Sequence, residues 1–198
     1  MLLNHKSKNQ SEEDPKYNSK YNECYIRLTK DRTIFLAEDL TKEIGSTIIA
    51  MLLYFDAENS QEDITILINC NGGDAAALMS IYDVMQMISA PVKTICLGKC
   101  YSAAAVLLAT GTKEKRFALK HSQVMIHGLQ CTFPLIGETD QIGSENYFKF
   151  LNKSNMDVMR LLSKHTGKDL KEVERDCTRD FYLTPESAIK YGIIDKII

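Results

Sequence analysis

The sequence has no apolar run long enough to span a bilayer, since a spanning helix needs about 20 consecutive apolar residues. It opens on no signal peptide with an apolar core. Neither sign of charge dominates: 24 Lys and Arg stand against 26 Asp and Glu, a formal net charge of −2. That balance points to neither nucleic acid nor an anionic membrane as a partner. The cysteines (Cys24, Cys70, Cys96, Cys100, Cys131 and Cys177) are scattered and, with His127, make no zinc spacing, so no metal is expected. Several lie in apolar runs, as reduced core thiols do. The expected compartment is therefore a reducing one, the cytoplasm, with an organelle such as a plastid or mitochondrion as the alternative. No internal repeat is visible. The hydrolase elbow G-x-S-x-G is also absent, so that fold is not indicated.

What is present is a chain of 198 residues, 44% hydrophobic and 25% charged. That is enough for one domain with a sizeable core. Residues 1–22 are polar and read as a mobile tail or a processed leader. Order is expected from about Cys24 onward. Thr33 to Leu36 reads as a strand. A helix follows, capped by Asp39 or Thr41, with Ile44, Ile48, Met51, Leu52 and Phe55 on its apolar stripe. Ile64 to Asn69 reads as a strand buried on both faces and therefore parallel. Asn69 to Ala75, with its paired glycines, is a turn into a helix from about Asp74 to Ile88. Pro91 to Leu97 is the next strand, and short strands follow at Arg116 to Leu119 and at Gln123 to Ile126. Thr132 to Ile136 reads as either a strand or an irregular loop. A long helical pattern runs from about Ser144 to His165 and ends at Thr166-Gly167. Asp169 begins a short helix, and Asp180 to Leu183 is a short extended piece. Thr184-Pro185 caps another helix, closed by Gly192, and Ile193 to Ile197 is the last strand. Strands alternating with helices predict a right-handed α/β architecture.

The chain is organised around Gly98 to Leu108. Ser102 falls where a buried strand turns into an apolar helix, Ala103 to Ala109. The free N–H groups and positive end of that helix would stabilise an oxyanion. The plainer reading of Ser102 is an ordinary N-cap.

An activated serine needs a base, and the base needs an orienting acid. His5 lies in the tail, while His121 and His165 fall in turn or helix-end contexts. His127 follows the apolar run Val124-Met-Ile, so a strand would fix its position. It reads equally as a strand-end histidine satisfied by backbone. Asp180 is singled out because Phe181-Tyr-Leu would partly desolvate it, although a structural pairing with Arg179 or Arg175 is the commoner role. Gly73 and the N–H of Ala103 are the natural oxyanion donors. Ser102, His127 and Asp180 thus form a candidate triad.

Several blocks, in order, resemble the proteolytic subunit of the Clp protease, the ClpP family. They are Tyr25 to Leu36, Ile68 to Gly73, Met79 to Gln86, Thr94 to Gly98, Ser102, Lys115-Arg-Phe117, Val124 to His127 and Glu174 to Asp180. The resemblance places the nucleophile on Ser102, the base on His127, the acid on Asp180 and the oxyanion donors on Gly73 and Ala103. It implies that residues 23–198 are a serine peptidase domain of crotonase-like α/β fold with repeated β-β-α units. A protruding helix-strand handle would span about 128–165. It further implies two stacked heptameric rings, polypeptide substrates and a ring-shaped AAA+ unfoldase. That partner uses the ATP, so this chain itself needs no cofactor.

The sequence departs from the family pattern at several places. Asn71 replaces proline and Asp74 replaces a small or apolar residue, beside the expected oxyanion site. Lys99-Cys-Tyr101 replaces a run of small residues, with Tyr101 adding bulk beside the nucleophile. Ala103-Ala104 replaces Met-Gly, and Gly128-Leu129 replaces the Gln-Pro after the histidine. The leading expectation is a serine endopeptidase subunit. The alternative is a weakly active or inactive structural subunit of a mixed ring. A crotonase-type acyl-CoA enzyme shares the fold but needs no such triad.

Overall fold

A computed structural model describes residues 15–129 and 141–198. The chain is an α/β protein whose described residues form one seven-stranded sheet, in which β1 (Thr33–Leu36), β2 (Ile64–Cys70), β3 (Val92–Tyr101), β4 (Arg116–Ala118) and β7 (Lys196–Ile197) lie side by side and parallel. Two further strands sit off this row. β5 (Gln123–Ile126) pairs parallel with the far end of β3, and β6 (Phe181–Leu183) pairs antiparallel with β5.

The helices are α1 (Pro15–Lys30), α2 (Lys42–Glu58), α3 (Ala75–Met87), α4 (Ala103–Ala109), α5 (Gln141–Thr166), α6 (Leu170–Asp176) and α7 (Pro185–Tyr191). Local chemistry sets their ends. Thr41, rather than Asp39, caps α2 by accepting the Ile44 N–H. Thr184 caps α7, which has Pro185 in its first turn and closes on Gly192 in the left-handed region. The helix α1 starts at Pro15, inside the polar stretch 1–22. Residues 1–14 lie outside the described residues, as do 130–140, which include Thr132 to Ile136 and lie within the 128–165 segment.

The strand at Ile64 differs from its expected burial. Ile64, Ile66, Ile68 and Cys70 are buried, whereas the alternate residues are partly exposed, so one face of β2 carries the core. Alternation along the strands sends one set of side chains into the core, while on the opposite face Phe35 of β1 stacks against Tyr25, which lies just before β1. Each of those isoleucines contributes about 1.5–3 kcal/mol by leaving water. Ile193 to Ile197 also differs: the ladder pairs Lys196 and Ile197 only, while Ile193 and Ile194 are buried before it.

The strand expected over Pro91 to Leu97 runs on to Tyr101, so that Ser102 stands where strand gives way to helix, as expected. Ile68 pairs with Cys96 and Cys70 with Cys100, so β3 gains residues relative to β2 over that interval. The Asn69 side chain supports this bulge by accepting the Lys99 N–H at 3.1 Å. Beyond the bulge β3 changes neighbours, pairing with β4 through Thr94 to Cys96 and with β5 through Lys99 to Tyr101. Behind it α4 is buried along its whole length, and its alanines allow close approach to the sheet.

The C-terminal end is tied in by Arg116, which is 5% exposed. Its guanidinium donates to both carboxylate oxygens of Asp195 and to the carbonyls of Ala109, His165 and Gly192. Burial alone would raise the Asp195 carboxyl, but the bonds from Arg116 overcome this and hold it below the usual range.

Candidate active site

Ser102 is a single-residue hinge between β3 and α4, with φ 54° and ψ −124°. This overturns the ordinary N-cap reading, because the side chain makes no capping hydrogen bond. A non-glycine residue in this region stores about 1–3 kcal/mol, and the surroundings hold it there. The Ser102 N–H donates to the Met125 carbonyl at 2.8 Å, and its carbonyl accepts from the N–H groups of Ala105 and Val106. With the backbone so fixed, the hydroxyl turns away from the helix.

The sheet registers bring the other two side chains to it. Tyr101 pairs with Met125, so Ser102 lies beside the end of β5, where His127 follows Ile126. Ile126 pairs with Phe181 in the antiparallel ladder, so His127 and Asp180 are the next residues on facing strands. Nε2 of His127 lies 2.7 Å from Ser102 Oγ, and Nδ1 lies 3.0 Å from Asp180 Oδ1. An ionised carboxylate only accepts, so Nδ1 carries the proton toward Asp180 and Nε2 is left to accept from the hydroxyl. The three expected residues are therefore brought together.

Their surroundings differ from expectation in two respects. Asp180 is not desolvated by the residues that follow it: its side chain is 44% exposed. The Tyr182 hydroxyl donates to its second oxygen at 3.4 Å. Arg175, an expected partner, instead bonds Asp176. Tyr101 does not crowd the nucleophile either. Its hydroxyl donates to Gln123 Oε1, and its ring stands edge-on to Tyr182. The alternation of strand side chains sends it to the face opposite Cys100.

The paired glycines form the facing wall. Gly72 and Gly73 have φ of 104° and 139°, which L side chains rarely adopt. A Cβ on Gly72 would lie 2.7 Å from the Tyr101 carbonyl and 2.8 Å from Ser102 Cβ. A Cβ on Gly73 would strike the Leu40 carbonyl. Leu40 donates to the Gly72 carbonyl and accepts from the Asp74 N–H, both at 2.7 Å. Pairing uses alternate groups, so the Gly73 N–H between them faces away from Leu40. The Ala103 N–H belongs to the first turn of α4 and has no intrahelical acceptor. Asp74 caps α3, one of its oxygens accepting the Ala77 N–H at 2.6 Å. Gly73, Asp74, Ser102 and His127 line one cleft of about 670 Å3, whose apolar side includes Met79 and Met125.

Two buried thiols flank the turn, and burial pushes both Cys70 and Cys100 up from the ordinary thiol value. Both stay protonated at neutral pH, whereas the Ser102 hydroxyl has an imidazole nitrogen beside it.

Asn155 on α5 was not singled out from the sequence. Its Oδ1 accepts the Leu129 N–H at 2.8 Å, while the Gly128 N–H donates to the Cys177 carbonyl at 2.8 Å. Proline at position 129 would carry no N–H; leucine brings one, which needs an acceptor near the histidine. Among the other histidines, His121 is exposed and His165 packs against Tyr82, both away from the cleft. His5 lies outside the described residues. In a comparison with families of known proteins, a family model described as Clp protease matches residues 16–198.

Proposed function

The chain belongs to the Clp protease family, and from that premise we propose that it is a serine endopeptidase subunit of an ATP-dependent Clp-type protease. The observation that carries the reading is the linked pair of contacts at His127, 2.7 Å to Ser102 Oγ and 3.0 Å to Asp180 Oδ1. His127 removes the hydroxyl proton as Ser102 attacks the scissile carbonyl, and Asp180 holds the resulting imidazolium. The N–H groups of Gly73 and Ala103 stabilise the oxyanion. His127 then returns the proton to the leaving amine, and water, activated by the same base, releases the acyl-enzyme.

In this reading the subunit assembles into two stacked heptameric rings, with α5 in the handle that joins them. An AAA+ unfoldase spends the ATP and delivers unfolded polypeptide. The test is peptide cleavage by the assembled protein and by Ser102→Ala. The substitution is expected to lower kcat by roughly 10^4-fold or more, as loss of a triad member does. Unchanged cleavage contradicts the reading.

A second reading, a weakly active structural subunit of a mixed ring, draws on the Asp74 carboxylate, which follows the oxyanion donor Gly73 directly. A negative charge there opposes the developing oxyanion. In that case the chain alone cleaves little and gains activity only with a paralogue.

A further inference from the structure

We infer that Asp74 makes this protein selective for polypeptides carrying a lysine or arginine side chain within a residue or two of the scissile bond. The inference rests on the reading of Ser102 as the nucleophile. Asp74 lines the cleft that holds Ser102 and His127. One carboxylate oxygen is taken by the Ala77 N–H, so the group is fixed in place as the cap of α3. Its second oxygen has no lysine or arginine partner among the described residues. Apart from His127, the other described lining residues carry no formal charge. The fixed carboxylate therefore sets the field in the cleft.

A second acid supports the same sign. Asn71, also in the lining, donates from Nδ2 to Asp39 Oδ1 at 3.0 Å, which places Asp39 at the rim beside the glycine turn. Lys99 on the neighbouring strand does not line the cleft. The apolar side chains Met79, Met125 and Val158 receive the aliphatic stem of a lysine or arginine, and the charged end reaches the carboxylate. The acid that opposes the oxyanion is offset when a substrate brings a cation to it.

The cap makes the test clean. Asparagine is as good an N-cap as aspartate, so Asp74→Asn removes the charge while keeping the bond to Ala77. The probes are peptidyl phosphonate esters that differ only in one side chain, lysine, glutamine or glutamate, next to the phosphonate. Their rates of adduct formation at Ser102 are measured on the assembled wild type and on Asp74→Asn, with melting temperatures compared. The wild type is expected to react about three- to tenfold faster with the lysine probe than with the glutamine probe, and slowest with the glutamate probe. Asp74→Asn abolishes that order at equal melting temperature, and added salt weakens it in the wild type. Equal rates for the three probes, or an order that survives Asp74→Asn, overturn the inference and leave the nucleophile standing. No adduct at Ser102 with any probe overturns both.

Discussion

The Leu129 N–H donates to Oδ1 of Asn155 across 2.8 Å, and this bond ties the loop leaving His127 to helix α5. It makes Asn155 a positioning residue. Asn155→Ala leaves the N–H without its acceptor, at a cost of about 1–3 kcal/mol, and loosens the histidine. The expected result is a fall in kcat of about tenfold with little change in KM. Asn155→Asp keeps an acceptor in place and restores most of the activity. A purely structural role predicts a lower melting temperature in Asn155→Ala with kcat unchanged.

Ser102 holds a backbone conformation that glycine accepts freely. Ser102→Gly is therefore expected to abolish turnover and yet stabilise the fold by about 1 kcal/mol, as relief of positive-φ strain does. Ser102→Ala abolishes turnover with no such gain. Urea unfolding of the two variants gives the comparison. A Gly variant no more stable than the Ala variant removes the argument for stored strain.

Gly72→Ala places a methyl against the Tyr101 carbonyl and Ser102 Cβ in addition to forcing an unfavourable φ. It is expected to cost at least about 1–3 kcal/mol of stability and to displace the nucleophile. The check is cleavage at a temperature where the variant remains folded. Retained wild-type cleavage contradicts the close approach of the two turns.

Much of this was legible in the sequence. Val124-Met-Ile followed by histidine marks a strand that ends at His127, and Thr184-Pro185 with Gly192 marks α7. What was not legible depended on contacts distant in sequence. The bulge that carries β3 past Gly98 is supported by Asn69 on another strand, and no local pattern records it. The expected cap at Ser102 failed because the local sequence does not show that Met125 holds its N–H. The carboxylate of Asp180 appeared shielded by its neighbours, but on a short strand Phe181 and Tyr182 point to opposite faces. Helix α1 was hidden because its residues are polar, and Asn155 because a lone polar residue in a helix has no spacing signature.

His165 supplies a pH dependence unrelated to the active site. Burial pushes its imidazole down to about 4, and the charges of Lys164 and Arg116 push the same way. The unfolded imidazole titrates near about 6.5, so the unfolded chain takes the proton first as pH falls. The stability due to neutral His165 is full above about 6.5, is lost between about 6.5 and about 4, and falls no further below that. Urea midpoints across that window are expected to decline in the wild type and to decline less in His165→Gln. Parallel curves for the two proteins contradict the assignment.

The measurement that bears most directly on the account is fluorophosphonate labelling of the assembled protein, with the adduct located by mass spectrometry, in the wild type and in His127→Ala. The predicted result is one adduct, on Ser102, formed at a rate that falls by roughly 10^2–10^4-fold without the base. A folded oligomer that stays unlabelled, or that labels equally well without His127, contradicts it.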